Sequence, residues 1–517
     1  MKNKNKKPKS KPVTGKAVNQ NKLLKKAYLN AIASFLDFFA RFLVNFLITP
    51  ILITQLGSSL FGVWKIIGRL AEFTTTASGN SGQALKWVIA NAQSSEDYQQ
   101  KRQHVANAVA VWLCFVPVLI LIGTLLAWFS PMFIDIEPQY HNAVRITLAL
   151  LVGNLVIMGV GKIPAAVLQG MNLGYRRMGV AAVLTLLSGF LMYWFLELGW
   201  GLVGLALAQV IGGVLSALLF YFVVRKNVPW FGWTKPTISG AKQFFNISIW
   251  YLAWTLVNKV ILNGDLVILG IIATSADAGI FSVSSFAAQS SVNLMGLAIA
   301  AAIPGLGGLL GEKKFVQVAG LRRELMTYAW LISMVFAGII LSLNQSFVNL
   351  WVGAENYAGT LVDLLIVISS AQLVLIRNDA FIIDLTLNIK QKVLFGIVSV
   401  ITTIGLAAYW IPLWGITGLC LAVVAGRLIL SLAYPILIGR YLQHRTIRIT
   451  TALRFAIGTA LILISATLLG LELHLDNLWY CAFLTIPIAV TTLLLCSLSL
   501  YPEERKTLFK RINVFNL

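Results

Sequence analysis

Charged residues within apolar stretches are the part of this sequence that could do chemistry. In the stretch 58–90, Lys65, Arg69 and Glu72 follow one another at intervals of four and three residues, so on a helix they share one face. A charge at the centre of a bilayer costs about 2.5–3.5 kcal/mol on insertion scales, and it therefore needs a partner or a wet cavity. The spacing predicts a polar helix face directed at such a cavity.

Polar side chains at helical spacing recur in three other apolar stretches and extend the face in 58–90. The positions are Asn30, Ser34, Asp37, Arg41 and Asn45; Thr76, Gly79, Gln83 and Lys86 in 58–90; Ser248, Tyr251, Thr255, Asn258 and Asp265; and Asp363, Ser370, Arg377 and Asp384. Four helices with one wet face each predict a hydrated central cavity.

Local neutralisation is the alternative interpretation of these charges. Arg69 and Glu72 have the spacing of an intrahelical ion pair, as do Asp37 and Arg41. Four further charges lie near the ends of their stretches and could instead extend to the membrane surface: Lys86, Arg145, Asp363 and Asp384.

The elements that carry these charges are fourteen apolar segments, each long enough to cross a bilayer. Together with a composition of 58% hydrophobic and 12% charged residues, they predict an all-α integral membrane protein. The segments are 27–54, 58–90, 105–129, 142–169, 178–196, 201–224, 245–273, 279–310, 325–350, 359–387, 393–410, 415–438, 453–471 and 478–500.

The basic residues between the segments are distributed on one side only. Of the 41 lysines and arginines, 32 lie in or beside the tails and alternate connections on that side, and the seven connections of the other side contain none. The positive-inside rule therefore places both termini in the cytoplasm. Residues 1–26 and 501–517 are predicted to be cytoplasmic tails, the first of them disordered and attracted to anionic lipid headgroups.

An internal repeat divides the segments into two sets. Trp200-Gly-Leu-Val-Gly204 recurs as Trp414-Gly-Ile-Thr-Gly418 at an offset of 214 residues, and neighbouring loop charges recur at a similar offset. We predict two six-helix lobes of the same orientation, at 27–230 and 240–440, with a substrate path between them. Residues 450–500 form two additional helices outside the repeat.

The two predicted lobes differ in the sign of their intramembrane charge. The first contains six basic and two acidic residues within its segments, and the second contains three and four. Unpaired cations need counter-charge, so this excess favours an anionic substrate. An exporter of cations would show the opposite bias.

Several classes of function are disfavoured by the sequence. The connections are too short for a folded soluble domain, and there is no Walker-type loop, so we expect neither an ATPase nor another enzyme. The four cysteines and four histidines lack metal-ligand spacing, so we expect no metal and no cofactor. Membrane orientation accounts for the net charge of +22, so nucleic-acid binding is not expected.

Several short sequences resemble the polysaccharide exporters, or lipid-linked oligosaccharide flippases (Wzx-type), of the multidrug/oligosaccharidyl-lipid/polysaccharide exporter superfamily. They are Leu56-Gly-Ser-Ser-Leu-Phe-Gly-Val-Trp64, Val167-Leu-Gln-Gly-Met-Asn172, Asp265 in the seventh segment, and the glycine-rich turns after Trp200 and Trp414. The resemblance covers roughly residues 25–500. It implies flipping of an undecaprenyl-pyrophosphate-linked oligosaccharide or polysaccharide repeat unit across the bacterial cytoplasmic (inner) membrane by alternating access.

Under that resemblance, the charged residues receive hypothetical roles. The partners implied are membrane lipids, the polyprenyl-pyrophosphate-linked glycan and a glycan polymerase machinery. For contact with the anionic headgroup we select Arg41, Lys65, Arg69 and Lys162 in the first lobe, with Arg377 and Arg427 opposite them. Glu72 and Asp265 are the candidates for proton or sodium coupling. An ion pair of Asp265 with Lys259 or with a first-lobe arginine is the alternative for that carboxylate.

Three other functions remain open at this point. A peptidoglycan lipid II flippase would share the fold and the cationic cavity. A cation or drug antiporter of the same superfamily usually stops at twelve helices. A non-transporting scaffold of a glycan-synthesis complex would not need the cavity charges.

Overall fold

The computed structural model describes residues 20–75, 81–92, 95–134, 136–171, 173–311, 313–385, 389–442 and 449–500. These residues form fourteen helices and two short 3-10 turns, with no strand among them. The helices are α1 (Gln20–Thr74), α2 (Ser81–Asn91), α3 (Tyr98–Phe133), α4 (His141–Gly170), α5 (Gly174–Glu197), α6 (Gly201–Asn227), α7 (Ile238–Ile272), α8 (Ser275–Ser284), α9 (Phe286–Gly311), α10 (Phe315–Val352), α11 (Thr360–Leu385), α12 (Ile389–Leu442), α13 (Ile449–Glu472) and α14 (Leu478–Ser499). The predicted all-α fold is confirmed.

Two of the helices are interrupted by a glycine in a non-helical conformation. Gly57 has φ 76° and divides α1 into α1a (20–56) and α1b (58–74), and Gly415 has φ 54° and divides α12 into α12a (389–414) and α12b (416–442). Positive φ is strained for residues with a Cβ, so glycine is the residue that fits at these breaks. The halves of α12 and the half α1a each correspond to one predicted segment, and α1b corresponds to the first part of the segment 58–90.

Within the described residues, eleven helices are long and apolar enough to cross a membrane. Of these, α12 contains two predicted segments, and α1 contains one and the first part of the next. The predicted segment 58–90 is divided between α1 and α2, and the predicted segment 279–310 lies in α8 and α9. This is the architecture of a multi-pass membrane protein. The exact number of crossings and the cytoplasmic position of the termini stay predictions.

Some of the sequence-based predictions fall outside the described part of the chain. The predicted tail 501–517 lies there entirely, and the tail 1–26 lies there as far as residue 19. Thr76 and Gly79 of the polar face also lie outside it, as do the side chains of Asn30, Gln83, Ser248 and Tyr251.

The two copies of the Trp-Gly-x-x-Gly sequence have the same local structure. Gly201 and Gly415 both have positive φ, at 48° and 54°. A methyl group on Gly204 would lie 2.7 Å from Phe195 Cβ, and one on Gly418 would overlap the carbonyl oxygen of Trp410, so each glycine lies against the end of the preceding helix. The glycines therefore permit the same turn and the same close helix contact in both halves of the chain.

Helices α1–α6 pack mainly among themselves, and so do α7–α12. We call these sets the first and the second lobe; the domain boundaries at 230 and 240 stay predictions. The helices α13 and α14 pack on α10, where the Trp330 indole N–H donates to the Thr459 hydroxyl at 2.9 Å. The additional helices therefore belong to the side of the second lobe.

The lobes meet at one end of the bundle, where Gly57 and the connections 273–274 and 353–359 lie. We call this end the outer end, because its loops are predicted to be external. Here α1b crosses α8, with Ser59 Oγ 2.9 Å from Ser275 Oγ. These two serines are 216 residues apart, which is within two residues of the repeat offset of 214. A methyl group on Gly62 would overlap the Ser275 carbonyl oxygen. Small residues thus allow the backbones to approach, as is usual for helix contacts in membranes.

Candidate substrate cavity

A polar cavity lies between the lobes, below their contact at the outer end. It consists of two adjoining parts of about 400 Å³ and about 410 Å³. Helix α1 supplies much of the wall of both parts. The first part lies between the lobes and is completed mainly by α4, α8 and α9. The second part lies within the first lobe and is completed by α4, α5 and α6. The two parts share the lining residues Asn45, Thr49, Trp64, Lys65, Asn154 and Gln209. A polar cavity is therefore present, but among the described residues only the predicted faces on α1 line it, and those on α7 and α11 do not.

Lys65 lines both parts of this cavity. Its ammonium group lies 5.0 Å from the centre of the Phe61 ring, and among the described residues no carboxylate lies within ion-pair distance of it. A cation–π contact of this kind stabilises by about 0.5–2 kcal/mol, which is less than a buried carboxylate would supply. Lys65 is therefore an available positive charge on the cavity wall.

Arg69 and Glu72, one turn further along α1b, connect the two lobes. The Arg69 guanidinium donates to Glu72 at 3.1 Å, to Asn263 of α7 at 2.7 Å and to Gln289 of α9 at 3.2 Å. Lys259 of α7 donates in turn to the Glu72 carbonyl oxygen. The predicted intrahelical pair is confirmed, but Arg69 also holds second-lobe amides at the cavity wall.

Two further cations, Arg41 and Arg177, line the second part of the cavity, which has a volume of about 410 Å³. Arg41 pairs with Asp37 at 2.9 Å, as its four-residue spacing predicts. Arg177, near the start of α5, lies over the Phe220 ring at 5.2 Å, and its Nε is buried without a hydrogen-bond partner. An unsatisfied buried donor is costly, so this guanidinium has hydrogen-bonding capacity left for an anion.

Sequence reasoning missed Arg177 and the uncharged polar residues of the wall. Arg177 lies one residue outside the predicted segment 178–196, so the sequence pattern places it in a loop. The amides Asn154 and Gln209 are isolated in strongly apolar helices, and such residues also tend to face a protein interior in a membrane. A search for lone amides, in addition to charges, would have found them.

The other predicted headgroup residues do not line either part of the cavity within the described chain. Lys162 of α4 lies beside Gly82 of α2, and Arg377 of α11 lies beside Gly296 of α9. Arg427 of α12 is 5% exposed and donates to Asp265 at 3.2 Å and to two backbone carbonyl oxygens. The side chains of these residues therefore lie in contacts between helices.

The partner of Asp265 differs from the predicted alternatives. It pairs with Arg427 of its own lobe, and neither Lys259 nor a first-lobe arginine lies within ion-pair distance of it. Spacing along α7 gives the face of the helix on which Asp265 lies. It does not show that α12 covers that face with an arginine, because the contact joins residues 162 positions apart.

The position of Asp363 also differs from the one expected from the sequence. An extension of its side chain to the membrane surface is wrong, because Asp363 is 2% exposed and lies among α8, α10 and the 353–359 connection. The remaining acidic residues of α11 are paired: Asp379 with Arg322 at 2.6 Å and Asp384 with Lys392 at 2.6 Å. The acidic side chains of α11 therefore make their contacts within the second lobe.

Aromatic rings close one side of the cavity between the lobes. Trp351 of α10 lies 5.5 Å from the Phe46 ring of α1a and 4.8 Å from Phe286 of α9. Its indole N–H also donates to the Phe46 carbonyl oxygen at 3.0 Å. Since Trp351 and Phe286 also line the cavity, its wall combines cations and amides with an aromatic side.

Comparison with known proteins finds structures of similar fold but no protein or family of similar sequence. No family model matches the chain, and no curated protein matches it. Among solved structures, a lipid II flippase MurJ in an inward closed conformation matches with TM-score 0.68 and 14% identity, over 91% of this chain and 98% of that one. An inward-facing multidrug resistance MATE family transporter of the MOP superfamily matches with TM-score 0.61 and 13% identity, over 78% of this chain and 94% of that one.

An outward-facing MATE family transporter of the same superfamily matches with TM-score 0.55 and 15% identity, over 83% of this chain and 99% of that one. The chain has the fold of MOP-superfamily transporters. At identities of 13–15% these likenesses show the fold alone, and the superfamily implied by the sequence resemblance stays a prediction. Nothing in these likenesses distinguishes the Wzx-type family within it.

Proposed function

We propose that this protein flips an undecaprenyl-pyrophosphate-linked oligosaccharide or polysaccharide repeat unit across the bacterial cytoplasmic membrane by alternating access. The observation that carries the proposal is the cationic cavity between the lobes, above all Lys65, which has no carboxylate partner among the described residues. A pyrophosphate is an anion with several strong acceptor oxygens, so it matches this wall.

The composition of the cavity wall supports an anionic headgroup. Arg41, Lys65, Arg69 and Arg177 face it, against the single carboxylate of Glu72 among the described lining residues. Lining amides such as Asn154 and Gln209 provide donors and acceptors for sugar hydroxyls. The polyprenyl tail would remain in the lipid while the headgroup passes between the lobes.

A lipid II flippase is a second candidate with the same chemistry. It is favoured by the coverage of the MurJ structure, which includes 91% of this chain, whereas the two MATE structures cover 78% and 83% of it. Lipid II also carries a polyprenyl pyrophosphate, so the cavity suits both substrates. Complementation of a strain depleted of its own lipid II flippase separates the two candidates, because a glycan-repeat flippase does not rescue growth.

The remaining roles are parts of the same proposal. Membrane lipids and a glycan polymerase machinery are the proposed partners, and the cytoplasmic (inner) membrane is the proposed location. Lys162, Arg377 and Arg427 would reach the headgroup only after a rearrangement of their present contacts. Glu72 and Asp265 stay the proposed coupling carboxylates, and for Asp265 coupling would require release of Arg427.

The decisive experiment replaces Lys65 with alanine and measures flipping of a polyprenyl-pyrophosphate-linked sugar in proteoliposomes. Loss of a charge-assisted hydrogen bond costs about 1.5–3 kcal/mol, so we expect the rate at subsaturating substrate to fall by roughly tenfold to a hundredfold. Lys65→Arg should retain most of the activity because it keeps the cation.

The matched control is Lys226→Ala, which removes an exposed lysine from the last turn of α6. It changes the net charge by the same amount without touching the cavity, so its rate should equal that of the parent protein. Full activity of Lys65→Ala at normal protein abundance would contradict the proposed function.

A further inference from the structure

Asp363, in the first turn of α11, is a buried carboxylate whose close partners are neutral. Its Oδ1 accepts from the Asn344 amide at 2.8 Å, and its Oδ2 accepts from the Tyr357 hydroxyl at 3.0 Å. Among the described residues, no Lys, Arg or His lies within ion-pair distance of it. A buried carboxylate without a counter-ion is costly when ionised, so this position is suited to take up a proton.

The other acidic residues of the second-lobe helix interior provide a contrast. Asp265, Asp379 and Asp384 each contact an arginine or a lysine at 2.6–3.2 Å. A neighbouring cation stabilises the ionised form of a carboxylate and so opposes the binding of a proton. Asp363 therefore differs from them in chemistry, although all four are intramembrane acids in the sequence.

Asn344 provides a second, independent feature of the site. It is 2% exposed, and its amide N–H groups donate to Asp363 and, at 3.0 Å, to the carbonyl oxygen of Ser284 at the end of α8. Its Oδ1 is buried and has no hydrogen-bond partner. A protonated Asp363 would present an O–H group, and this acceptor can receive it after a rotation of the amide.

Among the described residues, the other titratable groups near Asp363 lie on α12 and in the 353–359 connection. From α12, the buried Cys420 thiol is close enough to interact electrostatically with the Asp363 carboxylate. In the 353–359 connection, burial and the neighbouring carboxylate raise the pKa of the Tyr357 phenol, so the phenol stays protonated and acts as a donor. Glu355 is exposed and accepts from the Asn356 amide at 3.2 Å.

The 353–359 connection joins this carboxylate to the first lobe. Asn356, directly before Tyr357, accepts a hydrogen bond from the Ser58 hydroxyl of α1b at 3.0 Å. On the other side, the Ala358 amide donates to the Ser284 hydroxyl at 2.9 Å. Gly353 and Gly359 bound the connection and have φ 99° and 98°, a conformation that favours glycine. The connection therefore runs from a protonatable group to the lobe contact.

We propose that Asp363, Asn344 and Tyr357 form a proton-binding site that controls the outer contact between the lobes. The ionised carboxylate holds Tyr357 by a charge-assisted hydrogen bond and so keeps Asn356 against Ser58. When a proton from the outer medium bonds to Oδ2, that acceptor becomes neutral and the Tyr357 hydroxyl loses its anionic partner. The connection then releases Ser58, and the outer end opens. Lowering the pH thus favours the opened state.

The test measures the distance between spin labels at Leu198 and Leu413, which are exposed at the outer ends of the two lobes. The labels are placed in a full-length protein whose cysteines, Cys420 included, are replaced with alanine. We expect a short distance at about pH 8 and a growing long-distance population as the pH falls toward about 5, the range in which a buried carboxyl titrates. Asp363→Asn should show the long-distance population at both pH values.

Glu355→Gln is the matched control, since it neutralises an exposed carboxylate of the same connection and keeps an acceptor for Asn356. It should respond to pH like the parent protein. Tyr357→Phe leaves every carboxylate in place and should increase the long-distance population at high pH. This variant tests the proposal if Asp363→Asn does not fold.

Three outcomes would overturn the proposal. The first is a distance that does not change with pH in the parent protein, and the second is an unaltered pH response in Asp363→Asn. The third is a response to added sodium at fixed pH without a response to protons, which would make the cluster a metal-cation site. Because the readout is a distance, it is independent of whether the protein flips a glycan.

Discussion

At the scale of single residues, the intramembrane charges divide into those that remain available and those that are paired. Lys65 faces the cavity with an aromatic contact only, whereas Arg322 and Asp379 form a bidentate pair at 2.6 and 2.7 Å. Both residues of that pair are nearly inaccessible, at 6% and 1% exposure. Charges of the first kind can bind a substrate, and those of the second kind hold helices together.

We expect Asp379→Asn to destabilise the protein strongly. The substitution leaves the Arg322 guanidinium buried without its carboxylate, and breaking such a pair costs about 3–5 kcal/mol. Thermal unfolding in detergent micelles measures the effect as a lower midpoint temperature. Asp37→Asn is the control, because its partner Arg41 is 64% exposed and a pair at an accessible position contributes about 0–1 kcal/mol. Equal midpoints for the two variants would contradict this distinction.

The cavity residues on α1 could be predicted from sequence, because helical spacing alone shows that Lys65, Arg69 and Glu72 share a face. The predicted face of α11 has equally regular spacing, yet its Asp384 pairs with Lys392 of α12 and its Asp363 accepts a hydrogen bond from Asn344 of α10. Spacing identifies the residues that share a face, whereas the neighbour that covers the face depends on tertiary packing. That is why the first-lobe half of the predicted site agrees better with the structure than the second-lobe half.

At the scale of helices, the contact between α1b and α8 depends on the absence of side chains. Gly62 lies against the Ser275 backbone, and a methyl group on Gly279 would come within 2.8 Å of the Ser58 carbonyl oxygen. The equivalent serines Ser59 and Ser275 face each other across this contact. The segment Leu56–Trp64 belongs to the family resemblance in the sequence, but its role in this contact could not be predicted, because its partner is more than 200 residues away.

Gly62→Ala should separate α1b from α8 at the outer end. Forcing extra volume into a packed contact costs about 1–3 kcal/mol, and here the obstacle is backbone that cannot rotate away. With Ser59→Cys and Ser275→Cys in a background without other cysteines, we expect oxidation to form a disulfide readily in the parent protein and severalfold less in Gly62→Ala.

Gly68→Ala is the control on the same helix, because a methyl group there has no neighbour within 4 Å. It should leave the yield of disulfide unchanged. If Gly62→Ala formed the disulfide as readily as Gly68→Ala, the glycine contact would not determine how closely the lobes approach.

At the scale of the whole molecule, the sequence predicted the class of fold well. Apolar segment length and the positions of the basic residues are properties that a bilayer imposes on any chain, so they are readable without tertiary information. The Trp-Gly-x-x-Gly repeat is found by comparing the chain with itself. The identity of the substrate is different. It depends on a few cavity side chains, and the fold is shared by proteins named as a lipid II flippase and as multidrug transporters.

The orientation of the bundle rests on its charge distribution, and labelling can test it directly. Gln139, between α3 and α4, and Ser239, at the start of α7, are both exposed and lie at opposite ends of the bundle. Each is changed to cysteine, in separate variants, in the background without native cysteines. The seven connections without lysine or arginine predict that position 139 is external. A membrane-impermeant maleimide added to intact cells should therefore label position 139, and label position 239 only after permeabilisation. The reverse pattern would invert the bundle, and protons for Asp363 would then have to come from the cytoplasm.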